Sequence, residues 1–400
     1  MFQSINRNNR LFMLANFLFA LSYGLWMHLR QLHLGDLGAT PVEVGAILGV
    51  ISMAGGVLPI PAGLLTDRIG PKRVIFASWL IAALGTLIAA LATTWPVAGL
   101  GFAVFMLVIA ANPATVAYVL LNTQDQPVEG EAERVMATVF ASWPAAMVFA
   151  PALGGLIADR LGIGADLWIG VGGFIVSLLL LTRMEDVRPS AAQAQTDWRG
   201  ILRSRRYLAL AVFYPLAVVA LYIGYALIPT YLDGVRGFSI GVIGTLFSVM
   251  SLGSLAANYV VGKLRPRLSF IVLIGVVWLG TLLIWQTGNA VLVSLAFAFL
   301  GAISSMWLLA QAAVGQVIAP TQRGLALGIT ETLAYVAIAG ASWLAGQLYE
   351  RTPTHEFPFI VGLGAMGIVL ALWLVPSIGG LLSASDAAPS QEMDEAPARG

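Results

Sequence analysis

GLLTDRIGPKR, Gly63–Arg73, sets one acid and three cations between two apolar runs that are far longer than a soluble helix requires. Charge is scarce elsewhere. Asp, Glu, Lys and Arg make up 10% of the 400 residues, against roughly 25% in an average soluble domain. Hydrophobic residues make up 58%, before the 43 glycines are counted. A water-facing surface cannot be covered with so few polar side chains. Apolar windows of about 20 residues recur along the chain, each long enough to cross a hydrocarbon core of roughly 30 Å as a helix. The chain therefore reads as an all-α, polytopic membrane protein embedded in a lipid bilayer, and the charged stretch as one of its turns.

The net charge of +1 is spread over short clusters and forms no basic domain, so nucleic acid is not an expected partner. There is no cysteine, and His28, His33 and His355 have no metal-ligand spacing, so no metal site is expected. No nucleotide-binding loop or metal signature is present, which makes an ATP-driven pump or a membrane enzyme the weaker class. MFQSINRNNR leads into an apolar run followed by further spans, so the first span is expected to be retained rather than cleaved.

Twelve spans are expected, at about 11–33, 41–65, 74–94, 96–119, 135–158, 166–182, 207–231, 239–262, 269–287, 290–316, 323–348 and 357–376. With both termini cytoplasmic, 17 of the 21 Lys and Arg fall on the inner side, leaving only Arg30, Arg160, Arg236 and Arg351 outside. The positive-inside rule then fixes an even span count and this orientation in the cytoplasmic (cell inner) membrane. Shifting by 199 carries Tyr23 to Tyr222, Gly35 to Gly234, Gly38 to Gly237 and Gly45 to Gly244. The same shift carries Ser52 to Ser251, Gly63 to Gly262, Arg68 to Arg267 and Leu80 to Leu279 without a gap. Two pseudo-symmetric six-helix bundles, residues 1–182 and 207–376, follow from the repeat. The polar segment 183–206, with its six arginines, reads as a cytoplasmic linker, and 377–400 as a disordered tail.

Polar side chains are unevenly shared. The interiors of spans 3, 6, 9 and 12 hold only Ser, Thr and Trp among polar types, whereas the other eight carry Asn16, Asn112, Tyr118, Tyr222, Tyr225, Asn258, Gln311, Gln316, Glu331 and Tyr335. Intramembrane polar groups face protein or water rather than lipid. Every third helix is therefore expected at the periphery, and the other eight around a polar cavity.

In that setting Gly63, Asp67, Arg68, Gly70, Lys72 and Arg73 resemble the G-x-x-x-D-R-x-G-x-[RK]-[RK] signature of the major facilitator superfamily. The twelve spans, the duplicated halves and the basic linker are similar to that family as well, over about residues 10–376. The resemblance implies two bundles that rock about a midplane site, with this turn latching them on the cytoplasmic side when the cavity faces out. Asp67 can meet the positive end of a helix of the other half, Arg68, Lys72 and Arg73 can reach acids and lipid phosphates, and Gly63 and Gly70 allow close approach and a tight turn. The plainer reading is a positive-inside turn and nothing more. The second-half counterpart, GKLRPRL at 262–268, has Pro266 where Asp67 would be.

APALGG, Ala150–Gly155, is close to the family's antiporter motif G-P-x-x-G-G, matching at Pro151, Gly154 and Gly155 with Ala150 in place of the first glycine. It is expected to pack span 5 tightly against span 8. Span 4 lacks the buried arginine of many proton-coupled drug antiporters in the family.

Glu331 stands eight residues past Arg323, about 12 Å into the membrane at a rise of ~1.5 Å per residue. A carboxylate there is costly when ionised, which suits an acid that is reversibly protonated. Glu331 shares a helix face with Tyr335 and Ser342 and is the expected proton-coupling or substrate-binding residue, a fixed ion pair being the alternative. Asn16, Tyr23 and Arg30 recur at steps of seven on span 1, with Arg30 either binding an anion or snorkelling to the interface. His28, two residues away, is expected to point elsewhere. Asn112, Thr115 and Asn122 on span 4, and Ser304, Trp307 and Gln311 on span 10, form further polar stripes, and Trp143, Tyr222 and Tyr225 add aromatic surface. Thr40, Pro41 and Glu43 instead have the spacing of a capping box with proline in the first turn, a structural role.

The functional expectation is a non-enzymatic, monomeric secondary transporter that moves a small-molecule substrate by alternating access, as proton-coupled efflux of amphipathic or aromatic compounds. Uptake of a small organic anion through Arg30 is the second reading, and a non-transporting membrane sensor the third.

Overall fold

The computed structural model describes residues 5–123, 131–187, 201, 203–318 and 322–375, and contains no strand among them. Ten continuous segments are long and apolar enough to cross a bilayer. They are span 3 (Pro71–Leu91), span 4 (Trp95–Leu121), span 5 (Arg134–Leu161), span 6 (Ile163–Thr182) and span 7 (Arg205–Gly234), then span 8 (Ile240–Val261), span 9 (Arg267–Gln286), span 10 (Ala290–Val317), span 11 (Arg323–Tyr349) and span 12 (Phe357–Leu374). Arg7–Trp26 and Arg30–Asp36, bent by 42°, make span 1. Span 2 is split into Pro41–Gly56 and Pro59–Ile69. The calls on 188–200, most of the linker, and on the tail 377–400 lie outside the described residues.

Local chemistry explains where helices start and break. Asn6 caps span 1 by accepting from the Asn9 amide at 2.8 Å. Thr40 and Glu43 form the expected capping box, with the Thr40 amide donating to Glu43 Oε2 at 2.8 Å. Pro59 and Pro61 lack amide hydrogens, so span 2 restarts there with proline in its first turn rather than running straight to 65. In span 4 the stretch Leu107–Ala110 tightens to a 3-10 helix, because the Pro113 ring crowds the carbonyl four residues earlier. Span 1 was expected as one straight rod. It breaks at Met27–Leu29 with no proline to mark the place, and the Leu29 amide turns back to the Trp26 carbonyl at 2.9 Å. Span 7 breaks at the equivalent place before Ile228–Gly234, where Pro229 supplies the cause.

Each half has an aromatic core. In the first, Phe19 stacks on Trp79 at 4.4 Å and leans on Phe174 at 4.5 Å, and Trp26 meets Phe105 edge-on at 4.8 Å. In the second, Trp373 stacks on Phe270 at 4.1 Å beside Phe213. Spans 3, 6, 9 and 12 turn large apolar side chains outward, Leu179 being 60% exposed and Ile368 64%. Those faces are the surface a lipid bilayer covers.

The halves meet along two seams, span 2 against span 11 and span 5 against span 8. Apolar burial does not drive helices together inside lipid, so close backbone approach at small residues carries such contacts. A Cβ on Gly45 would lie 2.7 Å from the Ser342 carbonyl oxygen and 2.8 Å from Gly346 Cα. A Cβ on Gly155 would lie 2.8 Å from the Ile240 carbonyl oxygen and 3.0 Å from Gly244 Cα. Gly45 and Gly244 are related by the 199-residue repeat, so one element of the duplicated chain supplies a close contact to each seam.

The end of the molecule that holds the Gly63–Arg73 turn is the motif end, and the opposite end the far end. Among the described residues four hydrogen bonds tie the halves from mid-depth to the far end. Thr332 Oγ1 donates to the Gly56 carbonyl at 2.9 Å, and the Ala152 amide donates to Ser248 Oγ at 3.0 Å. Thr230 Oγ1 donates to Gln31 Oε1 at 3.0 Å, and Ser239 Oγ to Asp159 Oδ2 at 3.3 Å.

Candidate functional site

A cavity of about 430 Å³ lies between the halves, inside the roughly 300–1,000 Å³ of small-molecule sites. Spans 1, 2, 4, 7, 8, 10 and 11 line it, and none of spans 3, 6, 9 and 12 does. Span 5, expected among the lining helices, is the exception. Its small residues pack against span 1 and span 8 instead, with Ala150 and Gly154 facing Gly24 and Leu25, and Gly155 facing Gly241 and Gly244.

The cavity wall is aromatic and thioether-rich. Tyr23, Tyr222, Tyr225, Trp307, Tyr335 and Phe247 line it together with Met27, Met106, Met250 and Met306. Tyr222 and Tyr225 meet edge-on at 5.4 Å, and Tyr23 stacks on Phe105 at 5.0 Å. Ser304, Arg30 and Gln31 add polar groups, Ser304 being hydrogen-bonded to Ser254. At the far end the Thr230–Gln31 bond crosses above the cavity.

Toward the motif end Tyr214 and Trp307 border both this chamber and a second one of about 400 Å³, lined also by Asn112, Gln311, Thr330, Gly324 and Glu331. Glu331 is half-buried and makes neither an ion pair nor a hydrogen bond with a described residue. Tyr335, one turn further into the membrane, and Ser342 line the central chamber on the same face of span 11.

Of the polar positions read from the sequence, Tyr23, Arg30, Tyr222, Tyr225, Ser304, Trp307 and Tyr335 line the central chamber, and Asn112, Gln311 and Glu331 the second. Three stand apart. Asn16 is buried, 5% exposed, and donates to Ser142 Oγ at 2.9 Å, tying span 1 to span 5. Trp143 sits behind Tyr23 at 5.8 Å and beside Phe19 at 6.4 Å. Thr115 lines neither chamber. His28 was expected to face away but lines the central chamber, stacked on Phe247 of the other half at 3.9 Å. The break in span 1 explains this, because past Trp26 the 3.6-residue count that set His28 off the stripe no longer holds.

In the Gly63–Arg73 turn, Gly70 has φ +90° and ends its helix. Lys72 donates to the Met184 carbonyl and Arg73 pairs with Asp186 at 3.5 Å, both just past span 6 and within the same half. Arg68 is exposed. The surroundings of Gly63 and the side chain of Asp67 lie outside those described. One recurrence escaped the sequence reading. GLLTDRIG at 63–70 returns as GLIADRLG at 155–162, 92 residues on, and runs from the antiporter-like motif to the far end of span 5. The two corners share one backbone shape: Gly70 at φ 90° and ψ 149°, Gly162 at φ 81° and ψ 157°, each amide returning to the carbonyl four residues back.

A profile of the Major Facilitator Superfamily matches residues 11–329. The chain belongs to this superfamily. Among curated superfamily proteins it is similar to the inner membrane transport protein YajR of Escherichia coli (strain K12), 32% identical over 133 residues, 33% of this chain and 28% of that protein. An uncharacterized MFS-type transporter of Mycobacterium tuberculosis (strain H37Rv) is 27% identical over 223 residues, 52% of this chain and 50% of its own length. The matches thus span about a quarter to a half of these relatives. Among solved superfamily structures, a mutant of the nucleoside transporter NupG superposes with a TM-score of 0.79 at 14% identity, covering 94% of this chain and all of that one. The human organic anion transporter MFSD10 (TETRAN) gives 0.64 at 14% identity, with 91% and 98% covered. At such identity the likeness is one of fold. The superfamily is one of multi-pass membrane transporters that sit in a lipid bilayer, and the apolar outer faces of this chain suit that setting.

Proposed function

We propose that this chain exports small aromatic or amphipathic compounds by proton-coupled alternating access. The observation that carries the reading is an aromatic chamber, crossed by contacts at its far end, that shares the walls Tyr214 and Trp307 with a second chamber nearer the motif end, where Glu331 has no partner among the described residues. An acid held away from water is expensive to ionise, so Glu331 is the group that takes up and releases the coupled proton. The helical units 1–182 and 207–376 rock as bodies joined by 183–206, and both termini lie on the cytoplasmic side, as the distribution of Lys and Arg supports. When the far end opens, Asp67 meets the start of span 11 and latches the motif end. The export direction is supported by the Pro151–Gly155 packing on span 8.

The test uses a panel of fluorescent aromatic dyes with anionic, neutral and cationic members. Expression of the chain lowers cell accumulation of at least one dye, collapse of the proton gradient cancels the effect, and Glu331→Gln cancels it at equal protein level. Accumulation unchanged across the panel, or insensitive to both the gradient and Glu331→Gln, would overturn the proposal.

A further inference from the structure

Arg30 is the only ionised side chain among those lining the central chamber, and it has no acid to answer it. Among the described residues it makes neither a hydrogen bond nor an ion pair, the one ion pair there being Arg73 with Asp186. The acids near the outer ends of spans 1 and 7, Asp36 and Asp233, do not line this chamber and make no ion pair with Arg30. A guanidinium held in a half-buried, low-dielectric site is costly to leave uncompensated, and intramembrane cations that persist are paired with an anion.

The surroundings are donors too. Tyr23, Tyr222 and Tyr225 line the same chamber as Arg30. The Tyr23 and Tyr222 hydroxyls make no hydrogen bond with a described residue, whereas that of Tyr225 points to Met250 Sδ at 3.8 Å. Gln31, next to Arg30, uses its carbonyl oxygen to accept from Thr230, which leaves its amide hydrogens for the chamber. A guanidinium and two phenolic hydroxyls, free of protein acceptors, make the end of the chamber next to Gln31 a site for an oxyanion. Glu331 is outside this chamber, so no carboxylate lines it to pair with a cation.

Resting on the export reading, we propose that the carried solute is an organic monoanion, its carboxylate or equivalent oxyanion on Arg30, Tyr23 and Tyr222. Its flat aromatic body lies against Trp307 and Tyr335 toward the motif end. The lone cation selects charge, and the rings accept varied aromatic bodies. A proton on Glu331 and an anion on Arg30 occupy separate chambers, so both can be carried in one cycle.

The probes are 2-naphthoate, 2-naphthamide and 2-naphthylmethylammonium, which share one ring system and differ in charge. Binding to the purified full chain is measured by calorimetry. Naphthoate binds at least about tenfold tighter than the amide, the yield expected of a charge-assisted contact, and the ammonium binds least. Arg30→Ala removes the preference, Arg30→Lys restores part of it, and Tyr222→Phe reduces it severalfold. The Tyr222→Phe variant keeps the test decisive if Arg30→Ala does not fold. Equal or tighter binding of the amide or ammonium, no binding of naphthoate, or a preference that survives Arg30→Ala or Tyr222→Phe unchanged would overturn the proposal. Glu331→Gln retains naphthoate binding and loses proton-driven flux. If instead flux stays coupled to the gradient in Glu331→Gln while Arg30-dependent binding holds, the coupling reading fails and the anion site stands.

Discussion

The corners GLLTDRIG at 63–70 and GLIADRLG at 155–162 share their sequence pattern and their glycine turn, but they stand at opposite ends of the molecule and touch different things. The second corner is engaged across the halves. Gly155 packs on the first turns of span 8, Ser239, which caps span 8, donates to Asp159 at 3.3 Å, and a Cβ on Gly241 would strike the same carboxylate. Asp159 thus meets the positive end of the span 8 dipole. Around the first corner the contacts of Lys72 and Arg73 run to Met184 and Asp186 of their own half. One corner chemistry is duplicated in opposite orientation, as nested inverted repeats would place it; the second copy bridges the halves at the far end, while beside the first the described contacts of Lys72 and Arg73 stay with the segment just past span 6.

The largest way to break that comparison is Gly244→Val. Its Cβ would meet the Pro151 carbonyl and lie 2.8 Å from Gly155 Cα, and overpacking of this kind costs about 1–3 kcal/mol. The chain has no cysteine of its own, so spin labels at Leu161→Cys and Val235→Cys report the far end alone. The main distance between them lengthens in the variant; an unchanged distribution would mean that the glycine seam does not hold the far end. Asp159→Asn sharpens the comparison at smaller scale. Losing a charge at the helix start is worth about 0.3–1 kcal/mol, enough to enlarge the long-distance population a fewfold with no change in its position, and no enlargement would leave packing as the whole of the closure. Arg73→Ala should move these labels least, because exposed ion pairs contribute about 0–1 kcal/mol and this one stays within one half. A shift as large as that of Asp159→Asn would show that both corners govern the same end.

Much of the architecture could be read before any coordinates, because in a bilayer composition and burial are nearly the same question. The apolar outer faces of spans 3, 6, 9 and 12 followed from the scarcity of polar side chains there, and the Thr40–Glu43 cap from a four-residue spacing. Local rules worked where the cause was local. They failed at Met27–Leu29, where the helix breaks without proline or glycine and His28 is swung onto Phe247. They also failed for Asn16, since a helix face does not reveal whether the facing group is solvent or, as here, Ser142 of a neighbouring span. The 92-residue corner repeat was visible in the letters. It was missed because a search at the 199-residue spacing finds only copies in the same orientation.

Gln31 and Thr230 are themselves 199 positions apart, so their hydrogen bond joins two copies of one site and falls on the axis that relates the halves. A clasp on such an axis has no second copy to slide to: it is either made or lost. Its partners are uncharged, and water satisfies both once they part, so releasing it forfeits only about 0.5–1.5 kcal/mol. The threshold for parting the lips of the vestibule is then set by interlocking backbone, and the polar clasp registers alignment more than it supplies strength.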